Sequence, residues 1–157
     1  MYYTLMQTPF GPFALAGTEL GIRQADFQDS DRPLPIRQEW TRSDRPFKPA
    51  LTALERYFSG KPEHFTLQYD LQGTAFRLAV WQALGTIAPG QTLSYKAMAE
   101  LLNMPNGSRA VGSAVGKNPL TLLIPCHRVV GSNGKLTGFA GGLALKEQLL
   151  RHEGWLE

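Results

Sequence analysis

Along the first 27 residues, apolar positions come in short runs separated by turn formers, a rhythm that predicts strands. Residues 2–7 run into the Pro9-Phe-Gly-Pro12 turn, and residues 13–16 and, after Gly21, 22–27 give two further strands. Residues 28–46 are polar and broken by prolines, the composition of a surface connection. The period then changes: Leu51, Leu54, Tyr57 and Phe58 recur at helical spacing and stop at Gly60. Thr74 stands where a helix cap belongs, ahead of Phe76, Val80, Trp81 and Leu84 on one face, and Pro89-Gly90 closes that stretch. Ser94 caps a helix running to Asn103 that turns Ala97, Met98, Leu101 and Leu102 inward. Asn103-Met-Pro-Asn-Gly107 supplies a turn, and Ser108 caps another helix as far as Gly116. Residues 120–124, apolar apart from Thr121, have the pattern of a buried strand. It ends at Pro125, which has no amide hydrogen to give to a ladder.

Strands first and helices afterwards predict an α+β protein. The boundary falls within 61–73, dividing a small N-terminal α/β part (1–70) from a mainly helical C-terminal part (71–157). The two short helices joined by a tight turn have the form of a helix-turn-helix. The second of them is unusual. Ala110, Val111, Ala114 and Val115 share one face, while the other presents Arg109, Gly112, Ser113 and Gly116. A glycine inside a helix costs about 1 kcal/mol relative to alanine, so two of them ask for a reason. Either a neighbouring helix or a nucleic acid approaches this backbone closely. Few long side chains are on hand to read base edges, which favours shape or backbone binding over sequence readout. Gly112 to Lys117 resembles a phosphate loop but is one residue short, and Asn118 replaces the metal-binding hydroxyl, so no nucleoside-triphosphate site is implied.

Charge sharpens this picture. The chain has 157 residues and a net charge of +3, and all of the excess lies after residue 80. Within 82–135 the only acid is Glu100, against Lys96, Arg109, Lys117, Arg128 and Lys135, a bias that suits a phosphate backbone. With 43% hydrophobic and 18% charged residues the chain is not of the disordered class. No apolar run approaches the ~20 residues of a membrane span, and the N-terminus lacks the basic and apolar regions of a signal peptide. A soluble, cytoplasmic protein is expected, with no membrane partner.

The single cysteine excludes an internal disulfide or a multi-cysteine zinc site. Cys126 follows Pro125 at the end of the 120–124 run and precedes His127 and Arg128. Basic neighbours lower a thiol pKa from ~8.5 toward the reactive thiolate, which makes Cys126 a candidate nucleophile. Adjacent residues of an extended chain point to opposite sides, so His127 acts on Cys126 only at a bend or through a water. Glu153 is the candidate third group to orient the imidazole. An inert buried cysteine is the competing reading.

Taken together, Arg109-Ala-Val-Gly112, Asn118-Pro119, Ile124-Pro-Cys-His-Arg-Val129, Gly138-Phe-Ala-Gly-Gly142 and Lys146 through Glu153-Gly154 resemble the O6-alkylguanine-DNA alkyltransferases. Gly73-Thr74, Val80-Trp81 and Ser94-Tyr95 extend the resemblance upstream, so that residues 71–155 are well covered. The resemblance implies a ribonuclease H-like N-terminal part and a winged-helix-like C-terminal part. It implies direct-reversal DNA repair, in which an alkyl group leaves O6 of guanine, or O4 of thymine, for Cys126 and stays there, so each molecule acts once. His127 then relays the thiol proton through a water and Glu153 fixes the tautomer. Asn118 braces the active-site turn. The helix-turn-helix enters the minor groove of duplex DNA with Arg109, Ala110, Gly112 and Ser113, and Arg109 fills the gap left by the rotated nucleotide. Tyr95 sits near the 3′ phosphate and protonates guanine N3. Phe139, Gly141 and Gly142 wall the base pocket.

Phe139 stands where many relatives carry tyrosine and Ala140 where some carry serine, so a hydroxyl contact to the base is lost. Without N-terminal cysteines, no zinc and no cofactor are expected, and the protein is expected to act as a monomer on DNA at the nucleoid. Rival readings are a noncatalytic lesion binder, which the presence of Cys126 opposes, a Cys-His hydrolase and a helix-turn-helix transcription factor.

Overall fold

The computed structural model describes residues 1–139 and 141–155; Ala140 lies outside the described residues. Three strands open the chain, β1 (Tyr2–Thr8), β2 (Gly11–Thr18) and β3 (Gly21–Phe27). They form an antiparallel meander, and the short β4 (Thr41–Arg42) adds parallel to β1, giving the order β3-β2-β1-β4. Helix α1 (Lys48–Phe58) covers the sheet through buried Ala50, Leu54 and Tyr57. It ends at Gly60, whose φ of +91° is the left-handed conformation that a helix terminus favours and glycine adopts freely.

The second part is helical: α2 (Ala75–Leu84), β5 (Leu93–Ser94), α3 (Tyr95–Leu101), α4 (Ser108–Gly116), β6 (Val129–Val130) and α5 (Leu143–His152). The Thr74 hydroxyl accepts from Arg77 N and the Ser94 hydroxyl from Ala97 N, so both caps expected from the sequence form. Ser108 does not cap: it is the first residue of α4, with Gly107 before it and no side-chain bond to the free amides. Helix α3 buries Met98 and Ala99, while Leu101, expected inside, is 62% exposed. The helix ends there and the chain turns at Asn103 (φ +58°), so the inward face stops short of Leu101. The Trp81 indole donates to Ala114 O at 2.9 Å and locks α2 against α4.

The outer edge of β3 is occupied by residues 68–70 and by the second part. Ile22 exchanges backbone bonds with Gln68 and Asp70, and Ala25 with Pro119 and Thr121. Pairing this edge satisfies amides that would otherwise template aggregation, and it also anchors the segment leading into Cys126. One core runs through both parts, from Phe13 and Phe27 of the sheet through Leu54 and Trp81 to Leu149.

Residues 120–124 are not a strand. After one bridge at Leu120 the chain folds into a buried turn, with Ile124 N bonded to Leu120 O at 2.9 Å and Leu122 at φ +72°. A left-handed leucine costs about 1–3 kcal/mol, and such strain persists only where the surroundings fix it. Complete burial of Leu122 is one constraint. The Asn118 amide is another, reaching Ile124 O at 2.8 Å while its oxygen accepts from Leu120 N at 3.0 Å. A short apolar run reads alike for a buried strand and a buried turn.

Candidate active site and its approach face

The turn delivers Cys126, His127 and Arg128 into one tight 3-10 turn, so the bend that adjacent Cys and His need is present. All three are buried. His127 Nε2 lies 2.8 Å from Glu153 Oε2, at the end of α5. Arg128 grips the same carboxylate with Nε on Oε1 and Nη2 on Oε2, both at 2.8 Å, and donates Nη1 to Ile87 O at 2.6 Å. Tyr57, from α1, adds its hydroxyl to Oε2 at 2.7 Å. A desolvated carboxylate thus meets donors at both oxygens, the condition under which burying a charge is tolerable.

Tautomer assignment follows from this geometry. A carboxylate only accepts, so the hydrogen of neutral His127 resides on Nε2 and Nδ1 carries the lone pair. Nδ1 is buried and has no hydrogen-bond partner among the described residues. Burial would raise Glu153, but the bonds and charges of Arg128 and His127 outweigh it and hold the carboxyl well below the usual range. Burial lowers His127 from its ordinary value despite Glu153, which keeps the ring neutral.

The expectation that basic neighbours activate the thiol does not hold. Burial pushes Cys126 up to about 11, only partly offset by the Asn118 side chain and the Lys146 charge, and Asp26 adds to the rise. Arg128, adjacent in sequence, spends its charge on Glu153 instead. The resting thiol is therefore protonated at neutral pH and needs a base at the moment of reaction.

Above the turn, the 137–139 segment is held from two sides. Lys146 Nζ, buried, donates to Val129 O at 2.5 Å and Thr137 O at 2.8 Å. The Tyr95 hydroxyl donates to Thr137 O at 3.3 Å and to Gly138 O at 3.4 Å. Phe139 lies against Gly141, where a Cβ would meet its ring at 3.1 Å, and Gly142 (φ +103°) precedes α5. Phe139, Tyr95, Arg109, Gly112 and Gly116 border an open cavity of about 590 Å³.

On α4, Val111, Ala114 and Val115 are buried and Arg109, Ser113 and Gly116 exposed. Ala110, placed by its spacing on the apolar face, is exposed as well and joins the outer surface. A Cβ at Gly116 would meet nothing within 4 Å, and one at Gly112 only the Tyr95 ring at 3.7 Å. Packing within the chain therefore does not require these glycines, which removes the helix-contact explanation for the flat face.

Arg128 and Tyr57 were not identified as site residues from sequence. Arg128 is adjacent to the thiol but bonds elsewhere, and Tyr57 reads as one more apolar position of an amphipathic helix. The N-terminal part supplies Tyr57 to the Glu153 carboxylate.

The chain is similar to known proteins along nearly its whole length. The family model of the 6-O-methylguanine DNA methyltransferase ribonuclease-like domain matches residues 1–71, and that of the DNA binding domain matches 75–155. The methylated-DNA–protein-cysteine methyltransferase of Methanosarcina barkeri is 45% identical over 153 residues, covering 98% of this chain and 97% of its own. That of Mycobacterium tuberculosis is 39% identical over 158 residues, with coverage of 98% and 92%. The crystal structure of Mycobacterium tuberculosis OGT in complex with DNA superposes with a TM-score of 0.88 at 38% identity, over 98% of this chain and 92% of that one. The chain belongs to the 6-O-methylguanine DNA methyltransferase family. Its activity is that of a methylated-DNA–protein-cysteine methyltransferase, alkyl transfer in DNA repair.

Proposed function

We propose that Cys126 is the terminal acceptor of an alkyl group from O6 of guanine in duplex DNA, in a reaction each molecule performs once. The observation that carries this reading is the Glu153 carboxylate. By accepting the hydrogen of His127 Nε2 at 2.8 Å it leaves Nδ1, buried and without a partner among the described residues, as a lone pair on the residue next in sequence to a thiol that is protonated at rest. In the reaction the alkyl carbon–O6 bond breaks and a carbon–sulfur bond forms. The thiol proton passes through a water to His127 Nδ1. Tyr95 gives its hydroxyl proton to guanine N3, so the base leaves neutral rather than as an anion. Return of the His127 proton to the Tyr95 phenolate through solvent closes the balance. A thioether has no good leaving group, so the cysteine is not regenerated.

Access needs the lesion out of the stack, because a base inside the duplex cannot meet a buried thiol. The flat face of Ala110, Gly112, Ser113 and Gly116 suits close approach along the minor groove, with Arg109 replacing the extruded nucleotide. Phe139, Gly141 and Gly142 wall the pocket, and Phe139 offers stacking without a hydroxyl. Asn118 braces the strained turn. The chain divides at residues 70/71 into a supporting part and a DNA-binding part, acts as a monomer at the nucleoid and needs no cofactor.

The test is intact mass after mixing with excess duplex containing O6-methylguanine. Wild type should gain one methyl group in place of a hydrogen, mapped to Cys126, and Cys126→Ala should gain none. Duplex binding without a mass gain would refute transfer and leave a lesion-recognition protein.

A further inference from the structure

The loop of residues 28–34 leaves the N-terminal sheet and reaches the cavity that Tyr95 and Arg109 border. It is a built element. The Gln28 side chain closes it in both directions, Nε2 donating to Leu34 O and Oε1 accepting from Leu34 N, each at 2.9 Å, and Gln28 N donates to Pro12 O at 2.7 Å. Leu34 is buried beneath it. The loop touches the active-site segment directly, with Asp31 N donating to Gly141 O at 3.4 Å.

Its charges are sorted. The Asp29 carboxylate leans on Gly11, lying 2.6 Å from where a Cβ would be, and the Asp31 carboxylate leans on Gly142 at 3.0 Å. Gly142 precedes α5, whose N-terminus carries the positive end of the helix dipole. Both acids of the loop thus face the protein's own backbone. Arg32 borders the cavity with Arg109, Tyr95 and Phe139. Among the described residues no ion pair or hydrogen bond holds its guanidinium.

The geometry points to Arg32 as a cationic contact for the DNA backbone, given by the N-terminal part at the cavity that Arg109 also borders. The ligand chemistry is a phosphate diester flanking the extruded nucleotide, and the inference rests on the duplex-binding reading above. A guanidinium on a stapled loop loses little freedom on meeting a phosphate, and its bidentate geometry matches the phosphate oxygens. The 28–34 loop would then offer a cation to DNA while its Asp31 amide bonds Gly141 O.

The experiment measures affinity for an unmodified duplex across a salt series, with wild type, Arg32→Ala, Arg32→Lys and Arg32→Glu. Lys61→Ala, an equal charge loss at an exposed position that does not border the cavity, is the control. Arg32→Ala should weaken binding several-fold and lower the slope of log affinity against log salt by about one unit. Arg32→Lys should keep the slope, Arg32→Glu should weaken binding further, and Lys61→Ala should leave both unchanged. Melting curves of every variant confirm an intact fold, and a destabilised Arg32→Ala leaves the Lys and Glu variants to decide. A wild-type slope in Arg32→Ala, or an equal loss in Lys61→Ala, overturns the inference while duplex binding stands. Absence of duplex binding by the wild type instead overturns the functional reading.

Discussion

Replacing Glu153 by glutamine isolates the charge at the centre of the site. The carboxylate accepts from Tyr57 Oη, His127 Nε2, Arg128 Nε and Arg128 Nη2, all at 2.7–2.8 Å and with no side-chain exposure at Glu153. An amide has one oxygen. Whichever end takes the nitrogen faces at least one donor, and Arg128 is left buried without its counter-charge. Breaking one half of a buried pair costs about 3–5 kcal/mol. For a chain of this size that lowers the melting temperature by about 6–20 °C. The effect has a pH signature. Glu153 is depressed in the folded state, so its contribution is present above the unfolded carboxyl value and lost as pH falls through the folded one. The gap between wild type and Glu153→Gln should stay constant from pH 8 to about 5 and narrow only in stronger acid. Tyr57→Phe removes one of the donors and should cost about 1.5–3 kcal/mol alone, and less in the Glu153→Gln background, because the two share a partner. Thermal melts by circular dichroism measure all of this. A Glu153→Gln protein melting within about 2 °C of wild type at pH 7 would refute the reasoning.

Other consequences follow from the same geometry. His127 must be neutral to take the thiol proton, and burial lowers its pKa, so the single-turnover rate should stay level from pH 8 to below the ordinary histidine value; a fall centred at or above that value would sink the base assignment. Asp26 is raised to about 6 by burial, so the fold binds a proton there that the unfolded chain has lost, and its ionisation costs stability as pH rises from 3.8 through 6. Since the group is half-buried, Asp26→Asn should raise the melting temperature at pH 8 by roughly 2–4 °C, about 1 kcal/mol, with no gain below pH 4; an equal gain at both pH values would contradict a titration origin. Gly116 faces open space, so Gly116→Ala should stabilise α4 by about 0.5–1 kcal/mol while Gly116→Gln weakens duplex binding; unchanged binding in the glutamine variant would remove the flat face from the DNA interface.

The sequence carried the elements that punctuation and period specify. The strands of residues 1–27 are bounded by glycine and proline, α2 and α3 by the hydroxyls of Thr74 and Ser94, and these form as expected. Residues 120–124 failed because a strained turn at Leu122 has no local signature: burial and the Asn118 side chain impose it from outside the segment. Ala110 and Leu101 were misplaced because each lies near the end of a short helix, where the inward face is set by the next turn of chain rather than by the helical period. In the site, Cys126, His127 and Glu153 were legible as residue types, and the structure brings His127 and Glu153 into contact. The thiol's environment was not. Adjacency suggested that Arg128 would lower its pKa, whereas packing directs Arg128 to Glu153 and leaves Cys126 desolvated. Tyr57 reaches the carboxylate from 96 residues away, a separation no periodicity encodes.

The most direct test of the central claim is a count of methyl groups transferred per protein molecule. Protein at fixed concentration is titrated with duplex carrying isotopically labelled O6-methylguanine, and the label on protein is followed to completion. The label should rise and stop at one per molecule, with the unused lesion remaining in the DNA. Label that stops far below one, or lesion consumed beyond one equivalent, would contradict Cys126 as an irreversible acceptor.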